Sequence, residues 1–303
     1  FIPFQDAIGL RRSLPLKHNQ LLREVSKVGD FREFSPNSKL SIDALKVCCW
    51  INTVEAREFY RPFGGLESEG CKLKLDYFLP KFASVLENPD LFGADWKEEY
   101  NIVMKGIEQL KKSTIEKIPE LGLVIIQTPE PIHYYALFSV TQGFDIVLSM
   151  YDRNRYELEF KYTTYVDLIS RPTLPRIETT HLVKLMNQIE TLKGREKREM
   201  VNQKDDQPEQ DEPYIWKGPR ITDSGPIMRL EENTSKPTKA DLYAHPYLRS
   251  IYSSNIDPNE FKEIVKEYLK YAYNNVKPKS FWTWSEINQV NSSIEWDSWD
   301  PKI

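Results

Sequence analysis

A chain of 303 residues is long enough for one large domain or two ordinary ones, and its 40 % apolar, 28 % charged and 12 % aromatic residues are a soluble globular profile. A formal net charge of -4 and a pI near 5.8 argue against a nucleic-acid binder, which would carry a basic excess or a basic stripe. No apolar run reaches about 18 residues, the length of a membrane-spanning helix.

In chain order, residues 16–28 read as a helix with Leu21, Leu22, Val25 and Val28 on one face and Gly29 at its stop. A second helix over roughly 40–59 has apolar residues around most of its circumference, the mark of burial on several sides. The stretch 72–87 is helical in pattern, with Pro80 expected to kink or restart it. Asp95 then caps a further helix in which Trp96, Tyr100, Val103, Ile107 and Leu110 form one inward stripe.

After residue 113 the period changes. "TIEKI", "LVIIQT", "HYYALFSV", "FDIVLSMY" and "YELEFKYTTYV" are β-branched and aromatic runs separated by short turns. They predict strands near 123–127, 134–140, 144–151 and 155–166, paired mainly antiparallel, with Leu158, Phe160 and Tyr162 on one buried face. A helix follows at 180–192. "DPNEF" restarts a helix at 257, with an Asp cap, Pro first and Glu third.

The expected fold is therefore α+β or α/β: a mostly helical part (1–112), an antiparallel sheet plus helix (113–192), an extended and partly mobile segment (193–256), and a C-terminal helix with a Trp-rich tail (257–303).

The candidate sites are sparse. Asp30 follows Gly29 at a helix end, where a carboxylate is disfavoured by the macrodipole; an Asx-type turn explains it, and a metal or general-base role is the sharper alternative. His133 opens a predicted strand and could face a cleft, although a satisfied buried histidine is the commoner case. Arg171 and Arg176 flank two prolines in "SRPTLPR" and could hold a phosphate or carboxylate; salt bridges at a sheet end are the commoner use. Trp296 and Trp299 could dock on a protein partner or a second copy, or lie on the chain's own core. The four histidines make no metal-ligand spacing, and no phosphate-loop or nucleophile-elbow motif is present.

Cys48, Cys49 and Cys71 form no disulfide framework, and buried reduced thiols point to an intracellular, reducing compartment. The start at Phe1 keeps a removed targeting peptide, and so an organelle, open.

"LLREVSKVGDFREF", "FLPKFASVLENPDLFGADWKEE" and "YELEFKYTTYVDLISRPTLPRI" together resemble a mostly bacterial family catalogued as a domain of unknown function, over about residues 14–270. The resemblance implies an N-terminal motif like the first metal-binding motif of the DHH phosphoesterases, with Mn or Mg generating a nucleophilic water and Asp30 nearby. Residues 1–20 lack that motif, so the resemblance also implies a stretch missing between Ile8 and Leu14. Two functions follow: a metal-dependent phosphoesterase-like protein, or a non-catalytic binding or assembly subunit that docks through its extended segment and Trp-rich tail.

Overall fold

The computed structural model describes residues 16–29, 33–54, 57, 68–152, 155–160, 174–201, 214–217, 228–232, 254–279 and 282–299. The chain is α+β and forms two compact units, one drawn from residues 1–112, 132–142 and 238–247, the other from 113–131, 143–237 and 248–303. Residues 8–14, and with them the expected missing stretch, lie outside the described residues, as do Asp30, Arg171 and Tyr162.

The first unit is helical. Helix α1 (Leu16–Gly29) packs on α2 (Lys39–Val54) through Leu21, Leu22, Val25 and Val28, all buried as the spacing requires. Buried residues cover most of α2, from Ala44 and Leu45 to Cys48, Cys49 and Trp50. The Trp50 ring is fully enclosed and meets Phe78 edge-on, with ring centres 5.1 Å apart. Phe78 lies on α3 (Ser68–Glu87), which runs through Pro80 without ending. Pro80 and Asp76 are both exposed, so water can reach the carbonyl that the missing proline N–H leaves without a partner.

Helix α4 (Gly93–Leu110) begins three residues earlier than its sequence suggests, and its N-cap is Phe92 rather than Asp95. The reason lies upstream. A 3-10 turn at Pro89–Phe92, capped by the Asn88 side chain on the Asp90 N–H, leads directly into the helix. Asp95 remains in the first turn and pairs with Arg57 at 2.7 Å. The expected stripe holds except at Tyr100. Trp96, Val103, Ile107 and Leu110 are buried, but Tyr100 is only half-buried and Glu99 points inward.

The expected strand at 134–140 is helix α5 (Tyr134–Phe138), belonging to the first unit. A short apolar run satisfies both periods. Connectivity decides between them: the strands on either side of this segment are parallel, and parallel strands require a crossover rather than a hairpin.

The second unit holds one six-stranded sheet, in the order β1-β2-β3-β4-β6-β5. The strands are β1 (Thr114–Ile118), β2 (Leu123–Thr128), β3 (Ile146–Tyr151), β4 (Arg155–Phe160), β5 (Tyr214–Lys217) and β6 (Met228–Glu232). Every neighbouring pair is antiparallel except β2–β3. Gly122, at φ +58°, closes the β1–β2 connection, and its carbonyl accepts from the Asp145 and Ile146 N–H groups at 2.9 Å. The stretch expected to be extended supplies β5, β6 and the end of α6 (Thr180–Val201).

Tyr156 and Leu158 of β4 are buried on one face, and α6 and α7 (Pro258–Tyr273) join the same core through Leu182, Met186, Phe261 and Tyr268. Asp257 caps α7, accepting from the Asn259 and Glu260 N–H groups. Helix α8 (Trp284–Ser293) opens with a capping box of Thr283 and Glu286. The Asn291 side chain ties α8 to the main chain before α6: its amide nitrogen donates to the Arg176 carbonyl at 2.9 Å and its oxygen accepts from the Glu178 N–H at 2.6 Å.

Candidate functional site

The candidate site is in the first unit, where α2, α4 and α5 bring a carboxylate, an imidazole, an amide and two phenols together. Its geometry begins with Gly106. A Cβ there would stand 2.9 Å from the Ala136 Cβ and 3.0 Å from Ile132 Cγ2, so only glycine lets α5 approach α4 this closely. Glu99 lies two turns earlier on the same face of α4, and the close approach sets His133 beside it.

His133 caps α5. Its Nδ1 accepts the Tyr135 N–H at 3.2 Å, which places the ring proton on Nε2, 3.1 Å from Glu99 Oε1. Both ring nitrogens are thus engaged. Burial lowers the His133 pKa below the usual histidine value, opposed in part by the hydrogen bond to Glu99 and its charge, and the ring is neutral.

Glu99 is 3 % exposed. Besides His133 it accepts from Asn52 Nδ2 at 3.1 Å and from the Thr53 hydroxyl at 3.2 Å. Three donors are what a buried carboxylate needs to remain in the core. Asn52 Nδ2 also stands 2.6 Å from the Tyr134 hydroxyl and 3.2 Å from that of Tyr135. The amide nitrogen must face the carboxylate, so the amide orientation is fixed, and among the described residues the Asn52 carbonyl oxygen accepts no hydrogen bond.

Asn52 lines a cavity of about 200 Å³ together with Ser26, Cys48, Ile51 and Tyr135. Among the described residues, no ordinarily charged side chain lines it. The Tyr134 and Tyr135 phenols are pushed well above their usual pKa by burial first, with the Glu99 charge adding to the effect at Tyr134. Burial, then Glu99, does the same to the Cys49 thiol. Phenols and thiol therefore stay protonated, and the arrangement offers hydrogen bonds rather than a nucleophile or a poised base.

The remaining candidates that are described belong to the second unit. Arg176 is half-buried. The Trp296 indole lies nearly parallel to His181 and to Tyr268, with ring centres at 5.1 and 4.5 Å, and Trp299 meets Tyr268 edge-on at 5.1 Å. Both tryptophans are half-buried against the chain's own core. Among the described residues, no group of three or more His, Cys, Asp or Glu stands close enough to hold a metal ion, and no helix is long and apolar enough to cross a membrane.

Glu99 and Asn52 are absent from the sequence-level candidates. Glu99 had a signal: it is three residues after Trp96 and four before Val103, inside the apolar stripe. Asn52 had none.

The chain belongs to DUF6687, a family of unknown function, whose model matches residues 9–280. No curated protein and no solved structure matches the chain.

Proposed function

We propose, for this member of a family to which no activity is attached, a binding function: the first unit holds a small, uncharged, hydrogen-bond-donating molecule in the cavity floored by Asn52. The observation that carries this reading is the Asn52 amide, fixed through its nitrogen by Glu99 and the tyrosines, on a residue that lines a cavity whose described lining side chains carry no ordinary charge. A ligand amide N–H or hydroxyl would find an acceptor that needs no reorientation. The cavity is smaller than the roughly 300–1,000 Å³ of sites for drug-sized ligands, so the ligand is smaller than that class.

A phosphate ester would enter this cavity with a charge that no cation among the described lining residues meets, at a desolvation cost of several kcal/mol. The phosphoesterase reading would need ligands from the region around Asp30. The test runs both readings together. Thermal unfolding is followed with acetamide and propanamide, and with a phosphodiester plus Mn²⁺. The expected result is a Tm rise with the amides that disappears in Ile51→Phe, which fills the cavity wall without touching the Glu99 network. A ligand at one hundred times its Kd would stabilise by about 2.7 kcal/mol. Turnover of the phosphodiester, dependent on Mn²⁺, would overturn the binding reading.

A further inference from the structure

The second unit contains a separate cleft of about 290 Å³ at the carboxyl ends of β2 and β3, the parallel pair of the sheet. The strand registers explain its chemistry. Ile125, Leu148 and Leu158 stand side by side on β2, β3 and β4, in the core shared with α6 and α7. Two residues along each strand, the next row of the same face is Gln127, Met150 and Tyr156. Met150 and Tyr156 are buried and continue the core. Gln127 breaks the apolar pattern and lines the cleft.

A half-buried amide on the core face of an interior strand needs hydrogen-bond partners. Among the described residues, the Gln127 side chain makes one such contact, from Nε2 to Met150 Sδ at 3.8 Å, and a thioether is a weak acceptor. Gln127 Oε1 and the second N–H are left on one planar group. The surrounding polar groups do not compete for them. The Thr128 hydroxyl donates to the Glu130 carbonyl and the Tyr156 hydroxyl to the Ile256 carbonyl, both at 2.8 Å. Asp257, next to the lining Pro258, is the cap of α7, and Asp152 has its own interaction within the chain. Neither carboxylate is open to a cation, and both disfavour an anion. The other walls are flat: Pro129, Tyr151 and Pro258.

From this row we infer that the cleft binds a neutral planar lactam, a six-membered ring carrying N–H and C=O on adjacent atoms. The ring N–H donates to Gln127 Oε1, and the ring C=O accepts from Gln127 Nε2. The pair forms with either orientation of the Gln127 amide, because a ligand turned over meets the turned amide equally well. The flat walls receive the ring faces, and the Met150 thioether adds a sulfur–aromatic contact. The cleft lies just below the roughly 300–1,000 Å³ of drug-sized sites, which suits a single ring. The Asn52 cavity belongs to the other unit, and this site does not depend on it.

Two probes test this, 2-pyridone and 1-methyl-2-pyridone, which lacks the ring N–H. Each is titrated into the full chain while backbone amide shifts are followed. The lactam is expected to give saturable shifts at Gln127, Thr128, Met150 and Tyr151, and its methylated form to bind about tenfold more weakly or worse. Gln127→Met keeps the length of the side chain and removes both amide atoms. It should weaken 2-pyridone by about tenfold while hydrogen-exchange protection of β2 and β3 is retained. Nuclear Overhauser contacts from the 2-pyridone ring to the Met150 methyl and the Gln127 side-chain amide, measured in the unaltered chain, rely on no variant. Equal binding of the methylated probe, an unchanged affinity in folded Gln127→Met, shifts confined to the first unit, absence of those contacts, or no saturation below about 10 mM would each overturn the inference.

Discussion

Among the described residues, each unit buries one glutamate to the same depth, and the two are used differently. Glu190, 3 % exposed in the second unit, accepts from the Ser254 hydroxyl at 2.7 Å and the Asn255 N–H at 2.5 Å, just before α7. It fastens a stretch of main chain. Glu99, also 3 % exposed, accepts from His133, Asn52 and Thr53 side chains carried by two different segments. A carboxylate aimed at main chain holds a loop in place. One aimed at side chains orients an amide and an imidazole, and here the amide ends at a cavity. The surrounding cores follow the same division: stacked rings and aliphatic side chains around the sheet, a polar knot between helices in the first unit.

The largest expected loss is in the apolar core. Phe261 is fully enclosed and stacks on Tyr156 at 4.2 Å, so Phe261→Ala should cost about 3–5 kcal/mol, read as lost hydrogen-exchange protection in the second unit. Next comes the knot. Glu99→Ala takes the carboxylate acceptor from the buried His133 ring and from the half-buried Asn52 amide and Thr53 hydroxyl and should cost about 3 kcal/mol, read by the same exchange in the first unit. Replacing Glu99 and His133 together by leucine should recover much of that loss, because a well-packed apolar pair leaves fewer orphan groups. If Glu99→Ala cost well under 1 kcal/mol, the polar knot would be surface-like and the contrast between the units would fail.

Gly106→Val should cost about 1–3 kcal/mol by pushing α5 off α4, and it should also shift the Asn52 side-chain amide resonances. The pH dependence is smaller. His133 has a lowered pKa in the folded chain, so below the unfolded value near 6.5 the unfolded state holds more protons. Stability therefore falls as pH drops below about 6.5, by at most about 1.4 kcal/mol per pH unit until the folded value is reached. Urea titrations at pH 7.5 and 5.5 measure this slope, which His133→Gln should flatten. Trp296→Ala should have the smallest effect, about 1 kcal/mol, because the ring is half-buried and its contribution is mainly stacking on Tyr268 and His181.

The sequence is most readable where one period runs long. The inward face of α1, the capped start of α7 and the alternation of β4 at Tyr156 and Leu158 follow from spacing alone. It is least readable where a short segment obeys two rules. "HYYALFSV" has strand composition but folds as a five-residue helix, a choice set by the parallel pairing of distant strands rather than by its own residues. Tyr100 reads as core because aromatic residues dominate pattern matching, although the geometrically equivalent inward position is Glu99, three residues after Trp96 and four before Val103. Of the site, His133 is the residue that stands out in the sequence by its type, and Glu99 shows only through its place in the apolar stripe. A histidine can be noticed alone, whereas Asn52 acquires its role from Glu99, 47 residues away, and from two phenols more than 80 residues away.

The central claim is that His133 is a neutral strut that holds Glu99, and through it Asn52, in one orientation. Long-range ¹H–¹⁵N correlation of the imidazoles tests it directly. The structure predicts a neutral His133 at pH 7 with its proton on Nε2 and unchanged shifts on mild acidification. An imidazolium at pH 7, or a proton on Nδ1, would contradict it.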